Sequence, residues 1–433
     1  MKLAVAFVVL LGWALPAQGP PPPISSHHRA QAKRMLSSLK AAIREGYYDP
    51  AFRGIDLDAH FKQAAAKLDA AQTLPHAYGI IAQALIDFND SHTYFIPPTR
   101  SALVEYGWEM QMVGDACYVT AVKPGTDAAA KGLKPGDEVL QLDQFTPRRL
   151  DLWKLRYLLH TLSPRSRVRM MVRSPDDAAP RPLEIAAKVT PQPKVIEVNI
   201  DDLENLFWRA SREARTARNQ FGGAGDVAVW KLSGFDFDPQ DVDRLLDTAI
   251  QRASALVLDM RGNGGGFMKT LEQLAGRLFD RDVIVANVKT RKSTRPMIAK
   301  KRRAPFTGRL VVLIDADSGS AAELLARLVQ LEKRGIVIGD RSAGAVMQGQ
   351  MFVDGIENAL GHMIFHASVT HADLVMTDGK SLEKVGVTPD ELLLPTGADL
   401  AAGRDPVLAR AVTALGGSLD SAAAGAMFPI RWK

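Results

Sequence analysis

The sequence has a single cysteine, which restricts its chemistry. One cysteine among 433 residues cannot form an internal disulfide or supply a cysteine-based metal site. Cys117 is therefore predicted to be a small buried apolar residue. A block of like charge is also missing, because 54 basic and 48 acidic residues are interspersed to a net charge of +6. Nothing in this distribution indicates nucleic acid, and we expect no metal and no cofactor.

Apolar runs long enough to cross a membrane are absent as well. The longest, Leu3 to Leu15, stops at Pro16, whereas a spanning helix needs roughly 20 apolar residues. Lys2 precedes this run and the small residues of 17–19 follow it, as in a cleavable secretory signal. We therefore predict a signal peptide over 1–19, export to the periplasm or the medium, and no stable membrane insertion after cleavage.

The remaining sequence divides by its apolar periodicity. The chain of 433 residues is long enough for two or three domains, and its 46% hydrophobic residues are enough for substantial cores. Strand-like runs that alternate with helical ones, such as Ala255 to Asp259 before Met268 to Leu278, predict an α/β core with parallel strands. The basic run 289–303 within this core is expected to be an exposed loop. The predicted divisions are a helical segment at 25–98, a small β domain at 100–190, a connector at 191–225, the α/β core at 226–397 and a peripheral Ala- and Gly-rich tail at 398–433.

The small β domain has a recognisable sequence. Residues 122–143, VKPGTDAAAKGLKPGDEVLQLD, closely resemble a PDZ domain. Such domains add a peptide to a sheet edge and hold its terminal carboxylate on backbone amides. The resemblance places the peptide-binding loop at Gly107, Trp108, Glu109 and Met110, although Trp108 and Glu109 are larger and more polar than the usual residues. The alternative is a barrel that serves only as a spacer.

Two turns at predicted strand ends carry the candidate chemistry. DMRGNGGG (259–266) and DADSGSAAE (315–323) each join a strand to a helix. Glycines in the first leave backbone amides unobstructed. Ser320 in the second lies at the positive end of a predicted helix, near amides able to stabilise an oxyanion. Ser320 with Glu323 also fits a capping box, so position alone does not separate a nucleophile from a helix cap.

The order of the motifs resembles a known family. DMRGNGGG, SGSAAE, IVIGDRSAG and LEKVGVTPDE follow one another as in the carboxy-terminal processing (tail-specific) serine proteases, including their tricorn-core relatives. YYDPAFRGIDLDAHF and DSHTYF resemble that family's N-terminal part, so the likeness covers most of residues 40–395. It implies a mixed α/β, ClpP/crotonase-like core, a polypeptide substrate and an acyl-enzyme mechanism. Carried over, Ser320 is the nucleophile, and the oxyanion hole comprises Gly266 and the Ala321 amide.

The sequence departs from the family at the base. Where the family's serine-lysine branch has its lysine, this chain has Ala345. Tricorn-like relatives instead use a histidine preceded by a serine, which match His92 and Ser91, and Glu383 is the candidate to orient the pair. Lys380 and Lys384 are substitutes for the lost lysine only if they are not solvated surface charges.

Without a proton acceptor a serine hydroxyl is a poor nucleophile, so two other functions stay open. One is an inactive protease-like scaffold that binds peptides, and the other is a carrier of apolar small molecules. The sequence leaves the oligomeric state undetermined.

Overall fold

The computed structural model describes residues 23–98, 102–177, 179–191, 214–215, 219–251, 253–358 and 361–432. The predicted signal peptide and most of the predicted connector lie outside these residues.

The N-terminal segment is helical, as predicted. Helix α1 buries Met35, Leu36, Leu39 and Ile43 on one face because their spacing matches the helical repeat. This face packs with the next two helices into an apolar cluster that also takes in Tyr94 and Phe95. The elements are α1 (Ser26–Gly46), a 3₁₀ turn (Phe52–Gly54), α2 (Leu57–Asp69), α3 (Leu74–Ile86) and the short strand β1 (Tyr94–Ile96).

A small β domain follows. Its five-stranded antiparallel sheet has the order β3-β4-β5-β6-β7, with β2 paired to β8 beside it. Trp108, Met110 and Met112 alternate with more exposed residues along β3, the period of a half-buried strand. The elements are β2 (Ala102–Glu105), β3 (Trp108–Val113), β4 (Ala116–Val122), α4 (Asp127–Ala130), β5 (Glu138–Leu142), α5 (Leu152–Tyr157) with a π-helical continuation (Leu158–Leu162), β6 (Arg167–Arg173), β7 (Arg181–Ala186) and β8 (Lys188–Pro191).

The rest of the chain forms two sheets with helices between and around them. In chain order the elements are β9 (Ala214–Arg215), β10 (Asn219–Ala224), β11 (Val227–Leu232), α6 (Asp241–Ile250), β12 (Ala255–Asp259), α7 (Met268–Leu278), β13 (Val283–Thr290), β14 (Thr294–Ala299), β15 (Arg309–Ile314), α8 (Ala321–Leu331), β16 (Ile336–Gly339), β17 (Met347–Asn358), β18 (Gly361–Val375), β19 (Glu391–Leu392), α9 (Gly397–Ala401), α10 (Pro406–Ala414), α11 (Ser421–Ala426) and β20 (Arg431–Trp432). Strands β9 and β20 pair with each other.

The first sheet has the order β10-β11-β12-β15-β16-β19. Its strands from β11 to β19 are parallel, as the alternating pattern predicted. Alternate residues of β12 point to opposite faces: Leu256 and Leu258 pack with α6 to α8, whereas Ala255 and Val257 pack against α10. Burial on both faces explains why these strands are apolar throughout.

The second sheet joins the core to the N-terminal helices. Its order is β1-β18-β13-β14, with β17 also paired to β18. One side contributes Val285 and Leu374 to the core cluster with α7 and α8. The other side contributes Phe365 and Val369 to the cluster with α1 to α3. The layered α/β fold with a helical N-terminal segment is therefore confirmed.

Three segments differ from the sequence-based expectations. The basic run 289–303 was expected as a loop, but most of it belongs to the β13–β14 hairpin, where Met297 and Ala299 are buried at alternate positions. Strand β10, within the predicted connector, pairs along the edge of the first sheet. Helix α10, within the predicted peripheral tail, covers a face of that sheet. The apolar spacing of 407–412 carried this signal, but the alanine and glycine content around it obscured the pattern.

Candidate active site

Ser320 lies at the junction of β15 and α8 in an unusual backbone conformation. Its φ of 52° and ψ of −117° are rarely adopted by a residue with a side chain, and such strain is often found at functional sites. The Ser320 amide is held by Ala345 O at 3.1 Å and by Glu323 Oε2 at 3.1 Å. A Cβ on Gly265 would lie 2.6 Å from the Ser320 Cβ, so the neighbouring turn must have glycine there.

Glu323 ties Ser320 to the turn that contains Gly344 and Ala345. Its buried carboxylate accepts hydrogen bonds from Ser342 Oγ at 2.6 Å, Gly344 N at 2.7 Å and Ala345 N at 2.9 Å, besides that from Ser320. Burial raises the pKa of Glu323 to about 7, and the four donors oppose that rise. Sequence reasoning had assigned Glu323 only a capping role. Its spacing from Ser320 was the one available signal.

His92 follows Asp90 in a tight turn before β1. The buried Asp90 carboxylate accepts from the His92 amide at 3.0 Å and from the Thr93 amide at 2.7 Å, which fixes the backbone. Tyr47 also donates to Asp90, at 2.7 Å. Desolvation of the ring lowers the pKa of His92 to about 4, with Asp90 opposing this shift. His92 is therefore neutral at neutral pH.

Glu383 completes a hydrogen-bonded chain behind His92. Ser91 Oγ lies 2.7 Å from His92 Nδ1 and 2.8 Å from Glu383 Oε2. The other carboxylate oxygen accepts from the Ser91 amide at 2.8 Å, and Val346 N donates to Oε2 at 2.9 Å. Burial raises the pKa of Glu383, whereas the adjacent Lys384 lowers it. The structure thus brings Ser91, His92 and Glu383 together across 292 residues of chain.

A cavity of about 800 Å³ opens onto both halves of this arrangement. Ser320, His92 and Gly266 all line it. Much of the remaining lining is apolar, and charged groups are present as well. The apolar members include Tyr94, Phe267, Met268, Val288, Met297 and Met347, and the charged ones are Lys269, Glu272 and Arg295. The cavity therefore combines apolar surface with a few charged groups next to Ser320 and His92.

The two predicted oxyanion donors belong to the glycine turn before α7 and to the first turn of α8. Gly266 has φ 139°, and a Cβ there would meet the Phe235 carbonyl carbon at 2.6 Å, so only glycine fits. Ala321 is the first residue of α8, and first-turn amides have no intrahelical acceptor. Arg261 and Asp259 support the glycine turn from behind: their side chains pair at 2.8 Å, and Arg261 also binds Asp405 at 2.6 Å.

The sequence that carries this site is similar to those of known proteins. Residues 226–393 match the family model described as Peptidase family S41. The α/β core of this chain resembles the S41 peptidases. The chain is 27% identical over 404 residues to the chloroplastic C-terminal processing peptidase of Tetradesmus obliquus, covering 88% of this chain and 80% of that protein. It is 24% identical over 336 residues to the carboxyl-terminal-processing protease of a Picosynechococcus species, covering 74% of each.

A likeness of fold extends beyond the matched residues. Mature CPAF in complex with lactacystin superposes with a TM-score of 0.62 at 16% identity, covering 87% of this chain and 96% of that one. At this identity the likeness shows the fold alone. The superposition covers most of the chain, so a solved structure shares the overall arrangement of these elements.

The predicted peptide-binding loop lies apart from the cavity that Ser320 and His92 line. Gly107 has φ 77°, and Trp108 and Met110 are buried in β3. None of Gly107, Trp108, Glu109 and Met110 lines the cavity in the part of the chain that the structure describes. Arg156 on α5 donates to the Met110 carbonyl. The assignment of a PDZ domain here stays a prediction.

No cluster of three or more His, Cys, Asp or Glu side chains suited to a metal occurs among the residues described. Within the same residues, no helix is both long and apolar enough to span a bilayer.

Proposed function

We propose that this protein is an exported serine endopeptidase that cleaves polypeptides through an acyl-enzyme on Ser320. One observation carries the proposal: Ser320 and His92 line the same cavity, and His92 is anchored through Ser91 to Glu383. The predicted secretory signal supports export. Ala345 removes the family's lysine, and the His92 chain supplies an alternative base.

The hydrogen-bonded chain defines how His92 would act. Glu383, as a carboxylate, accepts from Ser91 Oγ, which then accepts from His92 Nδ1–H. This leaves Nε2 as the ring nitrogen with a free electron pair. Nε2 takes the proton from the Ser320 hydroxyl as its oxygen attacks the scissile carbonyl, while the Gly266 and Ala321 amides stabilise the oxyanion. His92 then protonates the leaving amine, and water hydrolyses the ester by the reverse sequence.

The small β domain is proposed to recognise the substrate's C-terminal tail. The PDZ-like sequence and the position of β3 at a sheet edge support this role, since such edges accept an added strand. The relatives above are named for processing at carboxyl termini. A peptide strand along β3 would take the place of the contact between Arg156 and Met110.

A fluorophosphonate probe tests the nucleophile. Wild-type protein is expected to be labelled at Ser320, and Ser320→Ala to lose all labelling. His92→Ala should slow labelling by about 10²- to 10⁴-fold, the usual contribution of a general base. Cleavage of an unfolded protein, followed by mass spectrometry of the products, is expected to depend on both residues. Full turnover in His92→Ala would remove this residue as the base.

A second candidate function is a peptide-binding scaffold without catalysis. The observation in its favour is Ala345, a buried residue at the position of the family's lysine. Tail-peptide affinity equal in wild type and Ser320→Ala, together with no labelling of the wild type, would support the scaffold and contradict the peptidase.

A further inference from the structure

Lys384 occupies a position that sequence reasoning had treated as solvated surface. Its side chain is only 27% exposed, and its Nζ lies 3.7 Å from Oε1 of Glu383, which is 5% exposed. The same Nζ lies 5.6 Å from the ring centroid of Trp153, within the range of a cation–π contact. The ammonium therefore sits between a buried carboxylate and an aromatic ring.

Trp153 belongs to α5 of the small β domain, so this contact joins two parts of the molecule. Three residues further along α5, Arg156 forms a two-pronged ion pair with Asp317 at 2.7 and 3.0 Å. The Arg156 and Asp317 side chains are 8% and 12% exposed. Asp317 precedes Ser320 in the loop that carries it. One short helix thus contacts the Ser320 side of the cavity directly, and the His92 side through Lys384.

The ionisation of Glu383 decides which nitrogen of His92 carries the proton. As a carboxylate, Glu383 accepts from Ser91, and Ser91 is left to accept from His92 Nδ1–H. A protonated Glu383 would instead donate to Ser91, whose own hydroxyl would then turn toward Nδ1. His92 would carry its proton on Nε2, the wrong tautomer for a base. Burial favours the neutral form of Glu383, and a nearby cation adds to the hydrogen bonds from Ser91 and Val346 that favour its charged form.

We propose that Lys384 is a positioning residue for the reaction: seated on Trp153, its ammonium keeps Glu383 a carboxylate and so holds His92 in the tautomer that can accept a proton. Docking of the small domain thereby becomes part of assembling the site. This inference rests on the proposed function of His92 and Ser320.

Other charged groups surround the hydrogen-bonded chain of Glu383, Ser91 and His92. Asp90 faces Glu383, His92 and Lys384, and its carboxylate is bound by several donors. His371 faces His92, Arg53 faces both Glu383 and Lys384, and Lys154 faces Lys384. Among the residues that the structure describes, Lys384 is the cation within ion-pair distance of Glu383.

The test compares Lys384→Met with Lys384→Arg, Trp153→Leu and the matched control Lys380→Met. Lys380 is an exposed lysine near the same turn. Two readouts are used: the fluorophosphonate labelling rate against pH, and the tautomer and pKa of His92 from ¹⁵N NMR. NMR reports on the chain without requiring activity.

In Lys384→Met we expect labelling to slow by about tenfold or more. The Nε2–H tautomer should increase because the Glu383 carboxyl keeps its proton to a higher pH. The acidic limb of the rate profile should move to higher pH for the same reason. Trp153→Leu should change both readouts in the same direction by less, Lys384→Arg should stay within about threefold of wild type, and Lys380→Met should match it.

If Lys384→Met shows the same His92 tautomer and the same pH profile as the wild type, the inference is overturned. The proposed function still stands in that case, provided that the wild type is labelled. An unlabelled wild type would contradict the proposed function, and the NMR comparison would still decide on Lys384. If Lys384→Met does not fold, as judged by circular dichroism, Trp153→Leu decides: an unchanged His92 signal there overturns the inference.

Discussion

At the residue scale, the site depends on buried polar groups whose bonds are satisfied from distant segments. Glu323 receives four donors and Asp90 receives at least three. Leaving a buried donor without a partner costs about 1–3 kcal/mol, so these carboxylates constrain the turns around them. His92 is the residue in this set whose protonation state must change during the proposed reaction.

The lowered pKa of His92 predicts a pH dependence of stability. The unfolded chain takes up a proton on this side chain near pH 6.5, whereas the folded protein keeps it neutral down to about pH 4. His92 therefore does not reduce the free energy of unfolding above pH 6.5. That free energy falls as the pH drops from 6.5 toward 4, because the unfolded chain binds a proton that the folded protein does not. Urea unfolding of wild type and His92→Gln at several pH values measures it. We expect the difference in unfolding free energy between them to change over this interval, and a constant difference would contradict the prediction.

At the scale of elements, helix α10 acts as part of the core. Val407, Leu408, Ala411 and Val412 lie on one face of the helix and pack against β11, β12 and β15. The sheet presents apolar residues on this side and would expose them to water without the helix. An α/β core cut at residue 397 would lack this cover.

Leu408→Ala tests the role of α10. Leu408 is completely buried, and removing its side chain should lower the free energy of unfolding by about 2–5 kcal/mol through lost burial and a residual cavity. Thr413→Ala, an exposed position on the same helix, is the control and should change it by less than about 0.5 kcal/mol. Equal effects of the two substitutions in chemical denaturation would show that α10 is peripheral.

At the scale of the whole molecule, polar contacts join the small β domain to the α/β core. Gln111 binds Asp315 at 2.6 Å, and Arg149 binds Asp340 at 2.6 Å. Arg156 forms an ion pair with Asp317, which lies three residues before Ser320, and the paired side chains are 8% and 12% exposed. Tyr157, Leu158 and Leu162 of the same domain pack into the apolar cluster of the N-terminal helices, so polar and apolar contacts together hold the domain in place.

Arg156→Met should weaken this docking. Removing one partner of a buried ion pair typically costs about 3–5 kcal/mol, because the other charge stays buried. We expect a lower free energy of unfolding and slower fluorophosphonate labelling. Arg173→Met removes a more exposed pair with Glu138 in the same domain and should cost less than about 1 kcal/mol. If Arg156→Met keeps wild-type stability and labelling, the site does not depend on docking of the small β domain through this ion pair.

The sequence by itself determined the elements and motifs whose signals are local. The strand ending in the SGSAAE turn, the following helix and the glycine turn before Met268 could all be predicted, because periodicity and turn residues act over a few positions. The tertiary structure alone decided which of these local features meet. Ser91 and Glu383 are 292 residues apart, and Lys384, expected as a surface charge, is a partly buried neighbour of Glu383 that contacts Trp153 of α5. Such contacts depend on packing between distant segments, and no short-range pattern encodes them.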